Sequence, residues 1–248
     1  MKKILYSVLS VLLLFLGSAC EKDETTYRAT ANITVINTAA GLGAIRVNPG
    51  AGSGFAYAKA TDLAYSASAV FGAYTGSNTI TVVKSTDTTT KVFQRTIDLK
   101  PISTLYIAGT AAAVDTMFRV ESNFPYINSS DINAESAMYI RFVNLSPNSG
   151  TVNVRISGAT ALEATALSYK GISEFKKYPA PIVVPPAPAF VTFEIRNAAN
   201  THTLASIPVT YSASRYKTAS IIFRGLVNTA GTGSDPTFPL AAFQVTYN

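Results

Sequence analysis

Cysteine occurs once, histidine once and tryptophan not at all in 248 residues. A single thiol closes no disulfide within the chain, so the fold must hold by core burial alone. His202 has no second histidine and no free thiol to work with, which excludes an assembled zinc site or a Cys–His dyad. Charged residues are only 14% of the chain, and the cations stand singly apart from Lys2-Lys3 and Lys176-Lys177. Nucleic-acid binders cluster their cations along a face, so the net charge of +6 is no pointer to such a partner. Apolar spacing of 3.6 residues is missing over any long stretch, which argues against a helical domain. What is abundant is Thr, Ser, Ala, Val, Ile, Tyr and Phe, a composition that favours strands.

The apolar run from Ile4 to Leu16 follows Lys2 and Lys3 and ends at Gly17-Ser18-Ala19-Cys20. As helix it would measure roughly 20 Å, well short of the ~30 Å hydrocarbon core. A basic start, a short apolar centre and small residues at a cut make a cleaved signal segment, residues 1–19. Gly17-Ser18-Ala19 before Cys20 resembles a bacterial lipobox, with glycine where an aliphatic residue is usual, and this implies acyl chains such as palmitate on Cys20. Lys22-Asp23-Glu24 resembles the export signal of Bacteroidetes lipoproteins sent to the outer face of the outer membrane. The plainer reading of residues 20–29 is a solvated spacer, a leash of up to about 30 Å.

From Thr30 the pattern has period two and then recurs. Ile33, Val35, Asn37, Gly43, Ile45 and Val47 match Ile140, Phe142, Asn144, Gly150, Val152 and Val154. Leu63, Tyr65, Phe71 and Tyr74 match Leu167, Tyr169, Phe175 and Tyr178, and Leu105, Ile107 and Gly109 match Ile221, Phe223 and Gly225. Three blocks in one order predict two copies of one β-domain. The expected organisation is an all-β pair of tandem immunoglobulin-like or transthyretin-like sandwiches, residues 30–121 and 137–248, joined by a linker over 122–136. Further strands are expected at Ser53–Ala58, Ala69–Tyr74, Thr79–Lys84, Val92–Leu99, Thr104–Gly109 and Met117–Glu121. The second copy carries extra residues, assigned mostly to the segment with Pro179, Pro181, Pro185, Pro186 and Pro188. Such a segment runs extended and stiff. It is a candidate binding loop, or else a cover for a sheet edge.

Arg141-Phe142-Val143-Asn144-Leu145-Ser146-Pro147, then Val152-Asn153-Val154 and Gly158, resembles the opening signature of the domain-of-unknown-function 4397 family. Asn153 stands for the usual aspartate, and the first copy has Ala39-Ala40 in place of Ser-Pro. The resemblance spans roughly residues 30–248. It implies a β-sandwich in cell-envelope lipoproteins and brings no assigned activity.

Other candidates are weak beside their plain alternatives. His202, in Asn200-Thr201-His202-Thr203, is expected at an exposed hairpin tip. Asp131, Asn133 and Glu135 in the linker begin like a calcium loop, but Ser136 and Phe142 occupy the positions that need Gly and Glu. Gly50, Gly52 and Gly54 lack the βαβ setting of a phosphate loop. Glu163, Glu174 and Glu194 are not brought together by any pattern, and Glu194 is expected to face solvent. Tyr65, Tyr74, Tyr169 and Tyr178 recur in both copies and are expected in the core or at corners. Tyr57, Phe124, Tyr126, Phe190 and Tyr216 are unrepeated and are the aromatic ligand candidates. Asp87-Thr88-Thr89 and Asp115-Thr116-Met117 resemble Bacteroidetes O-glycosylation sites, or are ordinary turns.

The resulting expectation is a non-enzymatic lipoprotein of the outer membrane, displayed on its extracellular face. It would bind a glycan or protein, use no cofactor or metal, and leave nucleic acid alone. A structural partner of another outer-membrane protein is the alternative, and a hydrolase the remote one.

Overall fold

Strand β1 (Thr30–Asn37) sends Ile33 and Val35 to one side and Thr34 and Ile36 to the other, and all four are buried. A strand enclosed on both faces needs a layer on either side, and that need sets the architecture. The computed structural model describes residues 28–50, 54–125, 136–183, 186–228 and 233–247. Among these residues no helix is long and apolar enough to cross a membrane. The proposed signal, Cys20 and Lys22-Asp23-Glu24 lie outside them, as does the linker from Tyr126 to Glu135.

The first copy comprises β1, β2 (Ile45–Asn48), β3 (Ala67–Tyr74), β4 (Gly76–Lys84), β5 (Asp87–Leu99), β6 (Ile102–Thr110) and β7 (Ala113–Val120). Its inner sheet has the order β3-β1-β6-β7 and its outer sheet β2-β4-β5. The second copy comprises β8 (Ala137–Asn144), β9 (Val152–Ile156), β10 (Leu162–Leu167), β11 (Lys176–Pro179), β12 (Phe190–Asn197), β13 (Thr203–Thr210), β14 (Thr218–Arg224) and β15 (Ala241–Tyr247). Its inner sheet has the order β11-β8-β14-β15 and its outer sheet β10-β9-β12-β13. Each inner sheet contains one parallel pair, β1 with β6 and β8 with β14, and the other pairings are antiparallel. The protein is all-β, as its composition implied.

The four sheets stack into a single pile with three apolar layers between them. Ile33, Val35, Leu105 and Ile107 meet Ile45, Val47, Ile80 and Val82 inside the first sandwich. Ile140, Phe142, Ile221 and Phe223 meet Val152, Val154, Phe193 and Ile195 inside the second. The third layer lies between the two inner sheets, where Ile36, Tyr106 and Ala108 meet Val143, Ile222, Val245 and Tyr247. The copies are therefore packed side by side on corresponding faces. At about 1.5–3 kcal/mol for each buried large apolar side chain, this middle layer is a core in its own right.

The copies also stand the same way up. At one end, Thr218 donates to the Pro125 carbonyl at 2.6 Å, and Phe124 packs edge-on against Tyr247 and Phe175. At the other end, Lys170 pairs with Asp115 at 2.8 Å, and the Arg224 guanidinium lies 4.8 Å from the centre of the Tyr65 ring. The chain enters β1 at the first end, the near pole. The turns after β1, β6, β8, β12 and β14 form the far pole.

Three expectations on local structure are corrected. Ser53–Ala58 is no strand: the described part leads into a 3-10 turn, Tyr57–Lys59, after Phe55 packs edge-on with Tyr57. Tyr74 is 53% exposed, whereas Tyr178 is buried. In β3, Tyr74 pairs with Thr30 at the start of β1, but in β11 it is Pro179 that pairs with Ala137 at the start of β8. One extra residue before β11 has slipped the register, and with period two a slip of one exchanges the faces. Phe71 accordingly packs in the sandwich core and Phe175 in the middle layer. Finally, the extra length of the second copy is not all in the proline segment. The link from β6 to β7 is only Ala111-Ala112, whereas the link from β14 to β15 runs over residues 225–240.

Candidate functional site

The most reactive-looking constellation lies in the middle layer. Arg141 donates to both carboxylate oxygens of Glu121 (2.7 and 2.6 Å), to the Tyr106 and Tyr247 hydroxyls (3.1 Å each) and to Ser220 Oγ (2.8 Å). Thr104 completes Glu121 at 3.0 Å, and Arg141 lies 4.5 Å from the centre of the Phe175 ring. Burial acts to lower the Arg141 pKa, but the Glu121 hydrogen bonds outweigh it and hold the group charged, above its ordinary value. Burial, with the Tyr247 hydroxyl next, pushes the Tyr106 phenol well above 10. Arg141 is 1% exposed and Glu121 9%, so no substrate reaches the pair. Its geometry fastens the residue that follows β7 of the first copy to β8 of the second.

The other residues of the resemblance motif are also fold-makers. The Asn144 amide donates to the carbonyls of Gly150 (3.2 Å) and Leu167 (3.0 Å), and its oxygen accepts from the Ser146 amide at 3.0 Å. Asn37 makes the matching pair of bonds, to Gly43 at 2.9 Å and Leu63 at 3.2 Å. A short polar side chain at the end of each first strand thus closes the corner of each sandwich. Ser146 Oγ reaches the Gly225 carbonyl at 2.8 Å, Pro147 and Tyr169 line one shallow cleft, and Gly158 takes φ +79° in the turn after β9.

An open site lies at the far pole of the second copy. Asn148, Ser149, Asn197, His202, Leu204, Val227 and Gly233 line a cleft of about 400 Å³. Three loops build it. The Asn148 side chain exchanges two hydrogen bonds of 2.9 Å with the Val227 backbone, so that the β8–β9 turn grips the start of the β14–β15 loop. Val227 and Ser234 then form a bridge across that loop. On the opposite wall, Asn197 accepts from the amides of Thr201 (2.9 Å) and His202 (3.1 Å), closing the β12–β13 tip. His202 Nδ1 is 2.9 Å from Thr201 Oγ1. The described lining is amide, hydroxyl and imidazole, with Leu204 and Val227 as its apolar patch and no carboxylate, lysine or arginine.

Four acids are engaged elsewhere, and Glu174 is exposed. Glu194 faces Arg155 (2.8 Å), Ser157 (2.9 Å) and Arg196 (3.0 Å), which correct its expected free exposure. These contacts, the Arg155 hydrogen bond foremost, hold its pKa below the ordinary carboxylate range. Glu163 pairs with Lys176 and accepts from Tyr178 at 2.9 Å, and Tyr178 is raised by burial and by that carboxylate. The Lys170 hydrogen bond holds Asp115 low, and burial with the Asp115 charge pushes Tyr169 up to about 12. Asp87 accepts from Thr89 Oγ1 at 2.6 Å and from the amides of Thr89 and Thr90, a turn geometry that lowers its pKa. Among the described residues no three His, Cys, Asp or Glu side chains converge.

The remaining sequence candidates scatter. Pro179, Pro181, Pro186 and Pro188 lie at the near pole, where Arg215 donates to the Ala180 and Pro181 carbonyls at 2.7 and 2.8 Å, and Pro185 is outside the described residues. Phe124 is packed between the copies and is withdrawn as a ligand candidate. Tyr216 is half-buried beside Ser136, and Phe190 is 47% exposed at the near pole. His202 is exposed at its hairpin tip, as expected. Its cleft was invisible in the sequence, because the loop that faces it has no counterpart in the first copy. The length of residues 225–240, in a link that needs only two, was the signal available.

No family model matches the chain, and no curated protein matches it. Among solved structures, a candidate adhesin from Bacteroides ovatus matches over 94% of this chain and 99% of its own, at 9% identity. Its TM-score of 0.28 is too low to transfer either a fold or a role.

Proposed function

We propose that the protein is a non-enzymatic lipoprotein of the cell envelope, held in the outer membrane by acyl chains on Cys20 and displayed outward through Lys22-Asp23-Glu24. It binds an external ligand in the far-pole cleft. The observation that carries this reading is polarity: the chain enters the stack at the near pole, and the cleft opens at the far one. A tether at one end and a loop-built recess at the other is the arrangement that presentation requires. Glu163 and Glu194, two of the three glycosidase candidates, are held in ion pairs, which supports binding over hydrolysis. A described lining of amides, a hydroxyl and an imidazole beside Leu204 and Val227 suits a glycan, which offers hydroxyls and apolar ring faces; a protein loop is the alternative ligand. The resemblance to the domain-of-unknown-function 4397 family agrees with an envelope lipoprotein.

A role in envelope assembly has one observation in its favour. Strand β5 (Asp87–Leu99) is a long edge strand of its outer sheet without proline, whereas its counterpart β13 carries Pro208. An open edge accepts a partner strand.

The test uses intact cells displaying wild type, Ser149→Arg or a Lys22-Asp23-Glu24 triple-alanine variant. External protease is expected to cut wild type and spare the triple variant. Wild-type cells are expected to bind a glycan array, and Ser149→Arg cells to lose the signal at equal surface abundance. Equal array signals from both, or no cleavage of wild type while lysed cells are cut, would sink the reading.

A further inference from the structure

Large apolar side chains that stand exposed are not spread over the stack. Among the described residues they are Val70, Tyr74 (53%), Ile102, Val120, Ile182 (78%) and Phe190 (47%). All but Val70 lie at the near pole. Tyr74 ends β3 opposite Thr30, Ile102 begins β6, and Val120 ends β7 opposite Ser103. Phe190 begins β12 opposite Thr210. Ile182 follows Pro181, whose carbonyl is held by Arg215. Contributions from both copies therefore converge on one end of the stack.

Cations accompany them. Arg28 lies 5.2 Å from the centre of the Tyr74 ring, and Lys217 is exposed just before β14. The described acids at this pole are occupied, Asp98 by Lys100 at 2.7 Å and Glu121 by Arg141. Exposed apolar groups concentrated at one end of a protein point to an interaction surface there. Aromatic and aliphatic groups rimmed by cations are the composition that settles into the headgroup region of an anionic bilayer.

We infer that the near pole is a membrane-docking surface: Tyr74, Ile102, Val120, Ile182 and Phe190 enter the interfacial region of the lipid bilayer, with Arg28 and Lys217 on its headgroups. This rests on the lipid-anchored reading. Position selects the bilayer as occupant, because the chain leads into this pole and residues 20–27 at full stretch span only about 29 Å. The bilayer is thus always within one leash of the exposed cluster. The proline segment becomes intelligible in this setting. Arg215 holds the Pro181 carbonyl, and Ile182 directly after it stands exposed at this pole, away from the far-pole cleft. Docking would stand the stack upright on the lipid, with the cleft outermost.

The lack of tryptophan supplies the experiment. Full-length lipidated protein carrying Phe190→Trp, and the same protein carrying Ala112→Trp at the far-pole hairpin, are reconstituted in vesicles of phosphatidylethanolamine and phosphatidylglycerol. Flotation is measured first, then emission with and without acyl-brominated lipid. Expected are flotation of both proteins, a blue-shifted Phe190→Trp emission that brominated lipid largely quenches, and an unaltered Ala112→Trp emission. Flotation with neither reporter quenched overturns docking and leaves the anchor standing, and a protein partner would then own the patch. Equal quenching of both overturns the choice of pole. Failure to float, shared with Cys20→Ala, overturns the anchor and the docking with it.

Discussion

Arg141 donates from all three of its nitrogens inside a layer that solvent does not reach. Removing one partner of such a pair leaves the other charged and buried, a loss of about 3–5 kcal/mol, whereas replacing both by apolar groups is often nearly neutral. Arg141→Ala and Glu121→Ala are each expected to fall in that range. Arg141→Met with Glu121→Leu should recover most of it. Urea midpoints at constant m-value measure all three, and a double variant as weak as the singles would show that the pair is not what the layer depends on. Half of this was legible beforehand. Arg141 stands out in a run of apolar residues within a recurring motif, yet nothing in sequence ties it to Glu121. That pairing depends on which faces meet, a property of the stack rather than of either strand.

At the scale of elements, two links between corresponding strands have become different devices. The tight β6–β7 hairpin rests on Gly109, at φ +80°, where an added Cβ would lie 2.3 Å from the Ala113 carbonyl. Gly225, its counterpart, has φ +99° and a Cβ position 2.2 Å from the Pro239 carbonyl. Glycine was matched at these two places in sequence, and both copies need it for the same reason: positive φ together with a strand backbone too close for any side chain. Gly109→Ala should cost at least about 1–3 kcal/mol of strain, read as a lowered melting temperature, and a neutral result would mean that the hairpin opens without penalty. Periodicity located the strands well where apolar and polar residues alternate, as from Thr30 to Val47. It failed at Ser53–Ala58, where Phe55 and Tyr57 alternate but pack on each other. It failed again before β11, because one inserted residue leaves the motif readable while exchanging which face it serves.

For the whole molecule, the decisive layer is the one between the inner sheets. Two domains joined by a polar linker would be expected to move and melt separately, and residues 122–136 read as such a linker. Strand β8 reads differently: Ala-Met-Tyr-Ile-Arg-Phe-Val-Asn barely alternates, as in a strand covered on both sides. Ile222, fully buried where the copies meet, offers the sharpest probe. Wild-type protein should melt in one transition whose calorimetric and van't Hoff enthalpies agree. In Ile222→Asp an unpaired carboxylate is forced into the middle layer, while both sandwich cores keep all their residues. The transition should therefore split in two, with the second copy's own core still reporting its near-ultraviolet tyrosine signal in the upper step. Two transitions already present in wild type would mean that the middle layer adds nothing to cooperativity. The stack would then be a pair of hinged sandwiches, and the far-pole cleft would have no fixed direction relative to the membrane.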